Sequence, residues 1–170
     1  MKSEQIYNRV TNSPLITIDL KEYRPNEIRF FFDLKDILDE SKLIREKNIR
    51  QFIKEHDWKK YSNQFVAVGC SLDVVIPAWT KLIISASIKP YSKKVVIGNL
   101  EQLETSIFEE IINNIDFEKY LNKPIIIKGC SDVYIPDSAY GFLISKLQHF
   151  AKKISYGEAC SSVPLWSSNK

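Results

Sequence analysis

The feature that most constrains this chain is internal repetition at a spacing of about 60 residues. One copy runs from Leu43 to Asn99 through LIREKNIRQFIKEHDW and VAVGCSLDVVIP, and the other from Leu103 to Glu158 through IFEEIINNIDFEKY and IIIKGCSDVYIP. Asp57-Trp58 answers Asp116-Phe117, and Tyr61 answers Tyr120. Gly69-Cys70-Ser71 answers Gly129-Cys130-Ser131, Pro77 answers Pro136, Lys93-Lys94 answers Lys152-Lys153, and Gly98 answers Gly157. Chance supplies a lone Gly-Cys-Ser pair; the ordered set reads as a tandem duplication.

Each copy has one grammar. Ile44, Phe52 and Ile53, like Phe108, Ile111 and Ile112, recur at helical spacing between charges. A short β-branched run follows, FVAVG in one copy and PIIIKG in the other, apolar on both faces as a buried parallel strand requires. Beyond the Cys-Ser turn a proline stands where a helix begins, which predicts helices over 77–89 and 137–149. A second strand, KVVIG or KISYG, closes each copy. Helix–strand–helix–strand alternation predicts an α/β fold, a mostly parallel sheet flanked by helices.

Residues 1–42 read as outside the repeat. LITIDL (15–20) and IRFFFDL (28–34) predict an N-terminal strand pair, an antiparallel hairpin around Arg24-Pro25-Asn26, followed by a short helix over 35–41. No linker separates domains, so residues 1–170 are expected to form a single domain with repeats at 43–99 and 103–158. Val163, Leu165 and Trp166 predict that the tail docks on the body.

Composition narrows the function. A net charge of +3 is too small to argue for nucleic acid or an anionic membrane surface. The opening MKSEQIYNRV lacks the apolar core of a signal peptide, and no apolar run approaches the ~18 residues that span a bilayer. Three cysteines cannot all pair within one chain, which disfavours a secreted disulfide scaffold. A cytoplasmic protein is expected.

In a parallel sheet, residues that follow the strands share the carboxyl edge, where open α/β sheets bind ligands. Cys70, Cys130 and Cys160 each follow a predicted strand. Three thiolates at one edge suit zinc or an iron–sulfur cluster, with Glu158, Glu46, Asp73 or water as fourth ligand. Arg45 and Lys47 open the first helix of the repeat near that edge, Ser71 and Ser131 lie in the cysteine loops, and Trp79 stands where it can wall a pocket. His56 ends a returning helix and is placed at the opposite edge, away from the thiols. Two alternatives stand beside the metal reading. One is a thiol-based sulfur carrier or redox-responsive protein, using Cys70 or Cys130 ahead of a helix start. The other is a non-catalytic partner-binding module with inert cysteines. Without GxGxxG or GxxxxGK[ST], no nucleotide cofactor is expected. Two copies of a unit also invite a homodimer, although the sequence offers no recognisable interface.

The blocks NRV, ITIDL, LIREKNIRQFIKEHDW, VGCSLDVVIPAW, IKGCSDVYIP and YGEACSSVPLW together resemble an uncharacterised family of small Bacteroidetes proteins, a domain of unknown function. The likeness runs from about residue 5 to 166. The family has no established activity; its association with iron–sulfur assembly genes implies a protein partner in iron–sulfur or sulfur metabolism. Arg45, Glu46, Lys47, His56, Asp57, Cys70, Ser71, Pro77, Trp79, Cys130, Ser131, Pro136, Glu158 and Cys160 occupy the matching positions. Ala159 stands where the family pattern implies proline, and Asp132-Val133 replaces a more basic pair.

Overall fold

Strand β3 (Phe65–Gly69) contains no side chain that needs water, and all five of its residues are buried. It is the centre of a sheet with β2 (Arg29–Asp33) on one side and β4 (Lys94–Ile97) on the other, both parallel to it. A second sheet repeats the plan around β5 (Pro124–Ile127), with β1 (Ile16–Ile18) and β6 (Lys153–Glu158) parallel on either side. Strand β7 (Ser161–Ser167) adds to β6 antiparallel. The computed structural model describes residues 15–39, 41, 43–129 and 132–168.

The chain divides into two compact units. Residues 25–107 form one; the described residues up to Arg24, with those from Phe108 onward, form the other. The first holds β2, α1 (Glu46–Glu55), β3, α2 (Ala78–Ile88) and β4. The second holds β1, β5, α4 (Asp137–Leu147), β6 and β7. Helix α3 (Leu100–Asn113) carries the chain from the first to the second. The α/β class and the mostly parallel pairing are as expected; the strands, however, fall into two sheets rather than one.

The expected N-terminal hairpin does not form. Strand β1 pairs with β5 and β2 with β3, both parallel. A hairpin needs a short loop joining strands that lie side by side. Here an Asp-Leu-Lys sequence at the end of each strand turns the chain into a 3-10 helix, Leu20–Tyr23 after β1 and Leu34–Ile37 after β2. Asp19 Oδ1 accepts the Lys21 N–H at 2.9 Å and Asp33 Oδ1 the Lys35 N–H at 3.1 Å, which caps each turn. Leu20 and Leu34 are fully buried beneath them. The segment read as outside the repeat thus holds its own matched pair and supplies one edge strand to each sheet.

Other correspondences are equally local. Asn63 and Asn122 adopt left-handed backbone ahead of β3 and β5, with φ of 59° and 56°, a conformation asparagine tolerates. Their N–H groups donate to the Tyr91 and Phe150 carbonyls at 3.2 and 2.8 Å. Asp57 and Asp116 cap the short turns that precede those strands.

In the unit built on β3, Val66 and Val68 meet Phe32, Tyr61, Ile84 and Ile88. Helix α1 closes this side with Phe52 and Ile53 from its apolar stripe. In the unit built on β5 the tail docks as expected through β7, and Trp166 packs against that unit's own core.

Candidate functional site

The three-thiolate centre is not assembled. Among the described residues there is no group of three His, Cys, Asp or Glu side chains that could hold a metal ion. The expectation of zinc or an iron–sulfur cluster on Cys70, Cys130 and Cys160 is therefore overturned. It required all three to follow strands of one sheet, and the strands fall into two. Cys70 follows β3 in one sheet; Cys160 sits in the turn from β6 to β7 in the other. Cys130 and Ser131 lie outside the described residues. Cys70 is half-buried against the apolar core and Cys160 is exposed. Nor does Cys70 stand at a helix start, because residues 71–77 separate it from Ala78, the first residue of α2.

The supporting candidates each have their own local setting. Glu46 holds Arg50 one turn along α1 at 2.7 Å, Arg45 pairs with Asp39 at 3.4 Å, and Lys47 is an exposed residue of α1. Asp73 is exposed in the loop after Cys70, and Glu158 ends β6. Trp79 is on the outer side of α2. Ser71 does have a definite role: its N–H donates to Asp33 Oδ1 at 3.0 Å and ties the cysteine loop to the end of β2.

The polar side chains that do converge surround a cleft of about 200 Å³ in the unit built on β3. Phe30, Phe31, Phe32, Phe52 and Ile37 supply its apolar lining; Asp33, Asp36, His56, Lys60 and Tyr61 supply the polar groups. Each comes from an identifiable local cause. Phe30 and Phe32 share one face of β2 by strand alternation, and Asp33 and Asp36 come with the capped turn that ends it. His56 caps α1, its N–H donating to the Phe52 carbonyl at 2.9 Å. Lys60 and Tyr61 belong to the 3-10 turn Trp58–Tyr61 that follows.

The aromatic rings form one connected group. The His56 ring lies 4.5 Å from Trp58, 4.6 Å from Phe52 and 5.9 Å from Phe32, centroid to centroid. His56 thus joins the turn that leads into β3 to the Phe32 side chain of β2. Its Nε2 shares a hydrogen bond of 2.9 Å with the Tyr61 hydroxyl, and the two rings are near-parallel, 11° apart.

Electrostatics divide the cleft into neutral and charged parts. Burial, with the Lys60 charge added, lowers the His56 pKa against the smaller opposing pull of Asp57, so the imidazole is neutral at pH 7. Burial raises the Tyr61 phenol, helped by Asp57, and keeps it protonated. The Asp33 carboxyl behaves oppositely. Burial alone would raise it, but bonds from the Ser71 hydroxyl and N–H and from Lys35 outweigh that and bring it to about 2. Asp33 is an ionised, fully engaged carboxylate. Asp36 makes no hydrogen bond or ion pair among the described residues and presents the carboxylate still free to accept. The Lys60 ammonium lies 5.1 Å from the Tyr61 ring centroid.

The sequence carries traces of this site. Phe30-Phe31-Phe32 followed by Asp33 is an unusually aromatic strand, and His56-Asp57-Trp58 with Lys60-Tyr61 is an aromatic, polar turn. Neither has a spacing that announces chemistry, because the two segments are joined only by packing.

The chain belongs to the family described as Protein of unknown function (DUF2480), which matches residues 4–168. No curated protein and no solved structure matches it.

Proposed function

We propose, for this member of a family without an assigned activity, that the cleft around His56 binds a small zwitterion with a flat apolar body. The convergence of Asp36, Lys60 and neutral His56 on one aromatic cavity carries this reading. The aromatic lining suits an apolar ring. Asp36 offers an acceptor to an amine and Lys60 an ammonium to a carboxylate. Neutral imidazole adds a hydrogen-bonding nitrogen without adding charge. Cavity size limits the ligand: about 200 Å³ falls below the ~300–1,000 Å³ of drug-sized pockets, so an amino acid fits where a nucleotide does not. Ser71 supports the site from behind by fixing Asp33. The setting we propose is the cytoplasm, whose reducing conditions suit the free thiols of Cys70 and Cys160; no described helix is long and apolar enough to cross a membrane.

Titration of the full chain with L-phenylalanine, phenethylamine and 3-phenylpropionate, followed by amide chemical shifts, tests the reading. The zwitterion is expected to bind more tightly than either singly charged analogue, with shifts concentrated at Phe32, Asp36, His56 and Tyr61. Asp36→Asn should abolish the advantage over 3-phenylpropionate, and Lys60→Met the advantage over phenethylamine. Equal, millimolar-or-weaker binding of all three probes, or shifts away from the cleft, refutes it.

A further inference from the structure

Helix α2 has the sequence AWTKLIISASI. Thr80, Ile84 and Ile88 face inward and are buried. Its opposite stripe is apolar as well: Val75 just ahead of the helix, Trp79, Leu82 and Ala86 follow one another at helical spacing and point to water. Val75 is 95%, Leu82 59% and Trp79 38% exposed. A helix with apolar stripes on two opposite sides, as here between the flanking Lys81, Ser85 and Ser87, ordinarily has both covered.

The other unit provides an internal control. Helix α4 begins after Pro136 as α2 begins after Pro77, and each connects two parallel strands. At the positions of Trp79, Leu82 and Ala86, α4 carries Ser138, Gly141 and Ser145, while Tyr134 stands where Val75 does. The architecture thus accepts a water-compatible stripe at this place, and the apolar one on α2 answers to something else. Beside it, Ser85, Ala86, Lys89, Val95 and Ile97 line an open groove of about 450 Å³.

We infer that this face binds a second copy of the chain, α2 against α2 in antiparallel pairing across a two-fold axis near Leu82. Three features select that occupant. Asp73 precedes the helix and Lys89 caps its end, so antiparallel pairing sets opposite charges together at both ends and opposes the two helix dipoles. The same pairing brings Trp79 of each copy over Ala86 of the other, where the groove lies. The exposed parts of Leu72, Val75, Trp79, Leu82 and Ile97 amount to on the order of 500 Å² per copy, so a dimer buries about 1,000 Å², the lower bound for a specific interface. The isologous geometry closes on itself and leaves no apolar face for further growth.

Sedimentation velocity of the full chain across the micromolar range tests the inference. A monomer–dimer equilibrium is expected. Leu82→Glu should weaken it by at least about thirtyfold, the scale of a hot-spot loss. Because Leu82 is exposed, the circular dichroism and urea midpoint of that variant should match the parent under conditions where both are monomeric. Should Leu82→Glu not fold, Trp79→Ser, which copies the residue at 138, is expected to weaken dimerisation while preserving the fold. Asp73→Lys should weaken the dimer, and Asp73→Lys with Lys89→Asp should restore it. A chain that stays monomeric throughout, a dimer indifferent to both apolar substitutions, or charge reversals without rescue overturns the inference.

Discussion

Replacing Glu104 by leucine breaks a buried ion pair of the unit built on β3. Arg29 and Glu104 join the start of β2 to α3, with side chains only 10% and 6% exposed. Arg29 Nε donates to Glu104 Oε1 at 2.8 Å and its Nη2 to Oε2 at 3.4 Å. Nη1 donates to the Pro25 and Glu27 carbonyls, and the guanidinium lies 5.2 Å from the Phe65 ring centroid. Glu104→Leu leaves the guanidinium its two carbonyls and the ring but removes its counter-charge. Breaking a buried pair from one side costs about 3–5 kcal/mol, against a few tenths for an exposed pair. Arg29→Met should also destabilise, since it removes a charge-assisted donor from the Glu104 carboxylate and leaves the Pro25 and Glu27 carbonyls without their donor. The double variant removes both charges together, so it should be less destabilised than the sum of the singles by at least ~2 kcal/mol. Urea unfolding of the parent, both singles and the double, at fixed pH and salt and with shared m values, measures this coupling. A loss below about 1 kcal/mol for Glu104→Leu, or additivity of the two singles within ~0.5 kcal/mol, refutes the reasoning.

Three further outcomes follow from the same structure. Thr80 is fully buried and its hydroxyl has no hydrogen-bond partner among the described residues, so Thr80→Val should stabilise the protein by roughly 1 kcal/mol in urea unfolding. Asp33 has its pKa depressed to about 2, so its stabilisation is present above the unfolded-state value near ~3.9 and is lost as pH falls through 2, amounting to roughly 2 kcal/mol; Asp33→Asn should remove that acid-limb loss and speed hydrogen exchange of the Ser71 amide. His56 has its pKa lowered by burial, which favours the unfolded, protonated form as pH drops below the unfolded value of ~6.5. Stability should decline over that range until the folded-state value is passed, and His56→Gln should flatten the decline in urea midpoints.

The sequence by itself determined what short-range pattern encodes. FVAVG predicts a buried parallel strand and the structure has one at Phe65–Gly69; the prolines at 77 and 136 mark helices observed at Ala78–Ile88 and Asp137–Leu147. Periodicity says which side chains must leave water, and turn residues say where the chain must bend. Tertiary structure alone decided which strands pair. LITIDL and IRFFFDL could serve an antiparallel or a parallel edge equally well, since alternation carries no information about a strand's neighbour; capped turns and the buried Leu20 and Leu34 settled it. That choice divided one expected sheet into two, placed Cys70 and Cys160 after strands of different sheets, and set β2 beside the turn that follows α1. His56 and Asp33 line one cleft because side chains distant in sequence meet only through packing, which no spacing along the chain records.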